Sequence, residues 1–384
     1  MGYVAYRMLV GNRSKFISII LGLSFASLIM TQQPGVFVGL MNRTTSLIQD
    51  IGEPDIWVTD PSLLYMDDNK PLASTALQRV ASIEGVAWAK PLFKDMVTAH
   101  LRFGLFQSCY LLGLDDATLV GAPAVLVEGK ISDLRKPDAV IVNLKGIQDK
   151  LHSRGDDPLV FLKVGDTLEL NDRRAVVVGI ADISTIFQSQ PVIFTTYSNA
   201  QRFSPQRRQP LSYVLVKALP GYSVEQVCQN IRQKTGLGAY SKEQFQELTL
   251  DYYLKYTGIP INFGISVLLG FLVGAAVAGQ SFFGFILENL RYFGLLKAMG
   301  ASQKVLRNMV LLQALVVTFI GYGMGLLLTT LLGIATKQSV LAFKFPLSLL
   351  FISFLGVLVI SISTALLSIR QLAKLDAAIV FKGQ

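Results

Sequence analysis

The apolar positions of this chain are gathered into four long runs separated by polar segments. No Asp, Glu, Lys or Arg occurs from Phe16 to Asn42, from Tyr256 to Leu287, from Asn308 to Thr336 or from Phe345 to Ile369. Each run exceeds the roughly 20 residues that a helix needs to cross the hydrocarbon core of a bilayer. Core helices of soluble proteins seldom extend so far without a charge. Four membrane-spanning helices are therefore expected, at 16–42, 256–287, 308–336 and 345–369. The first run is longer than the ~7–15-residue apolar stretch of a cleaved signal peptide, so it is expected to stay as a span.

Between the first two runs the period changes. Asp55–Asp60, Ala139–Asn143, Ala175–Ile180, Pro191–Tyr197 and Tyr213–Leu219 are short and rich in β-branched residues, which predicts strands. The stretch "LKVGDTLELNDRRAVVVGI" predicts a hairpin with Asn171 and Asp172 at its turn. Ser223 with Gln226, and Ser241 with Gln244, have the spacing of capping boxes, in which each side chain satisfies the other residue's orphan amide. The second box is expected to open a helix that runs directly into the second span. Residues 43–255 thus form a large mixed α+β domain between the first and second of four transmembrane helices.

Composition agrees with this division. Hydrophobic residues make up 51% of the 384-residue chain and charged residues 16%, which is more apolar than an ordinary soluble domain. Lys and Arg near the spans set the orientation. The segments 1–15 (Arg7, Arg13, Lys15), 288–307 (Glu288, Arg291, Lys297, Lys304, Arg307) and 370–384 (Arg370, Lys374, Asp376, Lys382) carry +3, +3 and +2, and alternation puts all three on one side. Both termini are therefore expected in the cytoplasm of a multi-pass protein of the inner (plasma) membrane. The domain at 43–255 and the loop 337–344, with Lys337 and Lys344, lie outside. The net charge of +9 then reports orientation in the lipid bilayer rather than nucleic-acid binding. Tyr3, Tyr6 and Val10 recur at helical spacing beside Arg7 and Arg13, as in a helix lying on the membrane surface; a frayed start fits the same residues.

Several chemistries are absent. The chain has no phosphate-binding G-x-x-x-x-G-K-[ST] loop, no H-E-x-x-H, no C-x-x-C and no G-x-S-x-G. His100 and His152 have no ligand spacing, so neither a catalytic residue nor a metal site is expected. Cys109 and Cys228 permit a disulfide outside the cytoplasm, and two buried thiols fit equally. The four runs hold no ionisable residue, so nothing in them couples transport to a proton or sodium gradient. Gln32, Gln33, Gln280 and Gln313 suit hydrogen bonds between helices. Gly270-x-x-x-Gly274 and Gly321-x-x-x-Gly325 suit close helix packing, within the chain or across a dimer seam.

The segment Glu288–Asn308 is more shaped than a connection needs to be. Tyr292, Leu295, Leu296 and Met299 fall at i, i+3, i+4 and i+7, which gives one apolar stripe, with Arg291, Gly294 and Lys297 around the other side. Gly300 reads as a C-terminal stop, and Ser302 as the cap of the helix that becomes the third span. A short amphipathic helix held between two spans results, with a face for a cytoplasmic partner.

The wording "LRYFGLLKAMGASQKVLRNMVLLQALVVTFIGYGMG" resembles the FtsX/MacB-type (type VII) ABC transporter permeases, whose signature has the form E-x-G-x-L-[KR]-A-[IM]-G-A-[ST]. Gly294, Leu296, Lys297, Ala298, Gly300, Ala301 and Ser302 match it, and Tyr292 stands where the family often has an acid. "DIWVTDP" and "KVGDTLEL…AVVVGIAD" resemble the extracytoplasmic (MacB-like) core of that family. "LKAMGAS" and "DIWV" are most similar to the DevC permeases of cyanobacterial exporters.

The resemblance implies a permease that is not itself an enzyme. Its coupling helix docks on a separate DevA-like ABC ATPase, on which ATP and Mg act; the permease binds no cofactor of its own. It also implies a homodimer, a DevB-like membrane fusion protein, a TolC-like outer-membrane channel reached through that protein, and export of glycolipid or another amphipathic cargo by mechanotransmission. The same scaffold serves FtsX-like regulators of a cell-wall hydrolase and LolC- or LolE-like lipoprotein release, and a four-span receptor without an ATPase is a further reading.

Overall fold

The computed structural model describes residues 2–101, 104–152, 160–205, 211–336 and 342–373. Its helices are α1 (Gly2–Gly11), α2 (Arg13–Thr44), α3 (Ser46–Asp50), α4 (Ala76–Ala81), α5 (Leu144–Asp149), α6 (Tyr197–Phe203), α7 (Val224–Thr235), α8 (Lys242–Tyr256), α9 (Ile259–Glu288), α10 (Leu290–Ala298), α11 (Gln303–Ala335) and α12 (Leu347–Ala373). Its strands are β1 (Ile56–Thr59), β2 (Val86–His100), β3 (Phe106–Leu114), β4 (Leu126–Gly129), β5 (Ala139–Asn143), β6 (Thr167–Leu170), β7 (Arg173–Ala181), β8 (Val192–Thr196), β9 (Tyr213–Ala218) and β10 (Gly238–Ser241). The chain divides into two compact units, Met41–Thr257 and the remainder.

In the first unit the strands run β10-β1-β9-β2-β3-β8-β5-β7-β4, with β6 bridging β2 and β7. Most pairs are antiparallel; β3/β8 and β5/β7 are parallel. β2 joins the two halves of this sheet: Val86–Leu92 pair with β9, and Phe93–His100 pair with β3. Three apolar clusters fill the unit. One surrounds Trp57, Tyr213 and Phe245, one Phe93, Ile193 and Phe203, and one Val80, Val227 and Ile231. The β6–β7 hairpin closes through Asn171 and Asp172, both left-handed (φ 47° and 62°), as a two-residue turn between right-twisted strands requires. Both capping boxes are formed.

β2 is the longest strand and had no strand signal, because Pro91, Lys90, Lys94 and Asp95 interrupt its apolar pattern. Lys94 lies in the interior, 3% exposed, because its ammonium pairs with Asp67, donates to the Met66 carbonyl at 3.0 Å, and stands 5.0 Å from the centre of the Tyr110 ring. Such a charge is tolerated in an interior only when it is paired and hydrogen-bonded.

Among the described residues, the second unit contains four helices long and apolar enough to cross a membrane: α2, α9, α11 and α12. Ile261, Ile265, Leu268, Leu269 and Leu272 stand exposed along α9. So continuous an apolar face is what lipid, rather than water, accommodates. α8 does not run directly into α9, contrary to expectation. It ends at Tyr256, Thr257 is extended (φ −116°, ψ 154°), and α9 restarts at Ile259 with Pro260 in its first turn, where a missing N–H costs nothing. Lys337 falls outside the described residues, as do Lys374, Asp376 and Lys382 of the tail.

Candidate coupling site

The corner α9–α10–α11 is built from its caps. Asn289 is buried and ends α9: its backbone N–H and its side-chain Nδ2 both donate to the Phe285 carbonyl, at 3.1 and 2.8 Å. The Asn289 carbonyl accepts from the Phe293 N–H at 3.1 Å and so begins α10. Phe293 is 1% exposed and sits in one cluster with Phe285, Ile286, Leu306 and Met309, and Leu290 and Leu296 pack against the same cluster. The inward ridge of α10 is therefore Leu290–Phe293–Leu296.

This parts the expected stripe. Leu296 goes inward, while Tyr292, Leu295 and Met299 are exposed by 62%, 54% and 68%. The reason is size and position: Phe293, which is not part of that stripe, takes the buried side and turns the other apolar residues outward. Arg291 and Ala298 share the exposed side, and Gly294 and Lys297 are half-buried.

The end of α10 is a Schellman stop running into an N-cap. Gly300 is left-handed (φ 92°), its N–H donates to the Lys297 carbonyl at 3.0 Å, and the Ala301 N–H donates to the Leu296 carbonyl at 2.9 Å. Leu296 and Ala301 both pack on the buried cluster, the apolar contact that accompanies such a stop. Ser302 is extended, and its Oγ accepts from the Val305 N–H to start α11. The run Leu296–Ser302 thus reads physically as apolar anchor, last turn, left-handed stop, second anchor and cap.

Glu288 lies apart from that face. Its carboxylate accepts a short hydrogen bond from the Asn12 side chain and pairs with Lys15 at 3.3 Å, at the α1–α2 junction. α1 is a formed helix rather than a frayed start, and its buried side is Ala5 and Leu9, with Tyr3 and Tyr6 outward. The Gln313 amide of α11 donates to the Ala5 carbonyl at 2.7 Å, which fixes α1 on α11. A cleft of about 720 Å³ between α1 and α10 is lined in part by Tyr3, Arg7, Asn12, Arg13, Glu288 and Tyr292.

The four motif glycines all meet α2. A Cβ on Gly270 would stand 2.4 Å from Ile29 Cγ2, and one on Gly274 2.3 Å from Ala26 Cβ. Gly321 would meet Leu23 Cβ at 2.7 Å, and Gly325 would meet Ser27 Cβ at 2.4 Å and the Ser24 carbonyl at 2.6 Å. All four motif glycines therefore pack against α2 within the chain.

Elsewhere, no group of three or more His, Cys, Asp or Glu that could hold a metal ion occurs among the described residues. His100 bonds Glu169 at 3.0 Å and stacks on Phe106. Cys109 and Cys228 are free and buried in different clusters, and burial pushes the thiols up to about 12 and about 11.

Two family profiles match the chain: the MacB-like periplasmic core domain over residues 17–234, and the FtsX-like permease C-terminal over residues 264–377, which includes the whole of α10. No curated protein sequence matches. Similar solved structures include the extracellular domain of the noncanonic ABC-type transporter YknZ from Gram-positive bacteria (12% identity, 49% of this chain and 99% of that one, TM-score 0.35). The periplasmic region of MacB from Actinobacillus actinomycetemcomitans is 11% identical over 52% of this chain and 94% of that one, with TM-score 0.39. A domain of a putative permease protein from Porphyromonas gingivalis is 16% identical over 50% and 90%, with TM-score 0.32.

Proposed function

The chain belongs to the FtsX/MacB-type ABC transporter permeases, and from that premise we propose that it is the DevC-like permease of a tripartite exporter. A permease of this family is a multi-pass membrane protein served by a separate ABC ATPase. In our reading α2, α9, α11 and α12 cross the inner membrane, both termini and α10 lie in the cytoplasm, and residues 43–255 lie outside. A DevA-like ATPase binds ATP and Mg and closes against α10. The helices carry that motion outward, and the outer domain passes a glycolipid or similar amphipathic cargo to a DevB-like fusion protein and, through it, to a TolC-like channel. Two ATPase subunits call for two coupling helices, so the unit is a homodimer. With the glycine seams occupied inside each chain, its contact uses other faces.

The observation that carries this reading is the build of α10. The nine residues of α10 are fastened at the C-terminal end and anchored by Phe293, yet with the following Met299 they present Arg291, Tyr292 and Leu295 outward. A mere connection needs neither the fastening nor an exposed apolar patch, whereas a groove on a motor protein would use both. The test is co-purification of the ATPase with the wild type and with the Arg291→Glu/Lys297→Glu pair. Loss of the ATPase from a variant that still folds is expected, and equal recovery rejects the coupling role. Material captured by the outer domain then separates the cargo readings: a fusion protein and channel support export, and a cell-wall hydrolase replaces export with regulation.

A further inference from the structure

α1 has a depth that its contacts define. Ala5 is level with Gln313, and Gly2 with Leu312, whose Cδ2 would lie 3.5 Å from a Cβ at that glycine. Arg307 is the last charged residue of α11 before that point. Five to six residues at 1.5 Å each place Gly2 and Ala5 about 8–9 Å beyond that charge, toward the apolar part of α11. This is the depth of a helix lying in the boundary between headgroups and acyl chains. Its outward residues suit that layer: Tyr3 and Tyr6, with an apolar ring and a polar tip, and Val4.

The cleft between α1 and α10 opens at the same level. Its lining includes Arg7, Arg13, Tyr3, Tyr292 and Asn12. Arg7 is held over the Tyr3 ring, and its Nε donates to the Tyr3 hydroxyl at 2.9 Å, which leaves the rest of its donor fork to point elsewhere. The one acid among the described lining residues, Glu288, is already engaged by Asn12 and by Lys15 at 3.3 Å. Two arginines therefore line a cleft whose one acid among the described residues is paired, and a guanidinium group matches the planar, multi-oxygen geometry of a phosphodiester.

We propose that this cleft binds the headgroup of an anionic phospholipid, with Arg7 and Arg13 on the phosphate, Tyr3 and Tyr292 at its edge, and the acyl chains along the outward face of α1. The proposal goes beyond the coupling role and does not depend on it: it rests on the depth of α1 and the charge of the cleft. The bound lipid would tie α1 to the side of α10.

The experiment reconstitutes the full chain in nanodiscs of pure phosphatidylcholine, or of an equimolar mixture with phosphatidylglycerol. It then transfers the protein to detergent and measures retained lipid by native mass spectrometry. Selective retention of phosphatidylglycerol is expected, reduced about tenfold in the Arg7→Gln/Arg13→Gln pair, as befits loss of charge-assisted hydrogen bonds. The Lys304→Gln/Arg307→Gln pair, which removes two cations outside the cleft, should retain it. A melting curve of each variant in detergent shows that both pairs are folded; should the Gln pair at 7 and 13 not fold, Arg7→Lys/Arg13→Lys replaces it, with weaker retention expected from the lost fork geometry. Equal retention by both pairs, or equal retention of phosphatidylcholine, overturns the site. Competition by inorganic phosphate alone, with no lipid needed for stabilisation, overturns the lipid assignment. None of these readings involves an ATPase, so failure here leaves the coupling proposal standing.

Discussion

Gly300 offers a clean perturbation because its surroundings are open. A Cβ built there has no heavy atom within 4 Å, so Gly300→Ala adds no clash. What it adds is the strain of a left-handed backbone at φ 92°, about 1–2 kcal/mol for an L-residue. That strain opposes the hydrogen bonds that close α10, from Gly300 to Lys297 and from Ala301 to Leu296. A penalty of this size shifts the balance between closed and frayed ends roughly 5- to 30-fold. The assay is hydrogen exchange, by mass spectrometry, of peptides covering 295–306 in detergent. Gly300→Ala should speed exchange at the Ala301 amide by that factor, and Gly300→Asn should recover most of the protection, since Asn enters the left-handed region more readily. Unchanged protection in Gly300→Ala, or equal loss in the Ala and Asn variants, would refute the account of the stop.

The other predictions concern packing, a buried charge and the thiols. Gly325→Ala forces a methyl group against Ser27 and the Ser24 carbonyl and should cost about 1–3 kcal/mol in thermal unfolding, whereas Gly279→Ala, whose nearest neighbour is Thr364 Cγ2 at 3.4 Å, should be close to neutral. Asp67→Asn deprives buried Lys94 of its counter-ion and should cost about 1.5–3 kcal/mol in denaturant titration, more than Lys94→Met, which removes the charge itself. Cys109 and Cys228 should resist alkylation at pH 8 in the folded protein and react once it is denatured, with no change on adding a reductant. Because folding raises both thiol pKa values, the stability they contribute is complete below about pH 8.5, declines as pH rises above that and is lost through 11 to 12, so their share of the alkaline loss should set in at about pH 8.5 and level off by about 12.

What could be read from the residues alone was whatever depends on near neighbours. The charge-free runs, the Asn171–Asp172 turn and the Ser–Gln boxes are local patterns, and each appears in the structure. The stop at Gly300 and the cap at Ser302 are of the same kind. What escaped depends on partners distant in sequence. β2 looked too charged for an inner strand because Lys94 is neutralised by Asp67, 27 positions away. That Ala5 and Leu9 form the buried side of α1 depends on α11, where the Gln313 amide reaches the Ala5 carbonyl. On α10, Phe293 lies outside the longer regular stripe of its neighbours, and its burial depends on Phe285 and Leu306, which belong to other helices.

The two ends of α10 are fastened unequally. At the α11 end three hydrogen bonds and a pair of anchors leave no slack, while at the α9 end the Asn289 side chain turns back to the preceding helix and gives α10 no cap of its own. A force applied at Tyr292 or Met299 therefore enters α11 as through a bolted bracket and reaches α9 as through a pivot. In the proposed coupling role, a motor pressing there would drive one rod along its length and let the other swing.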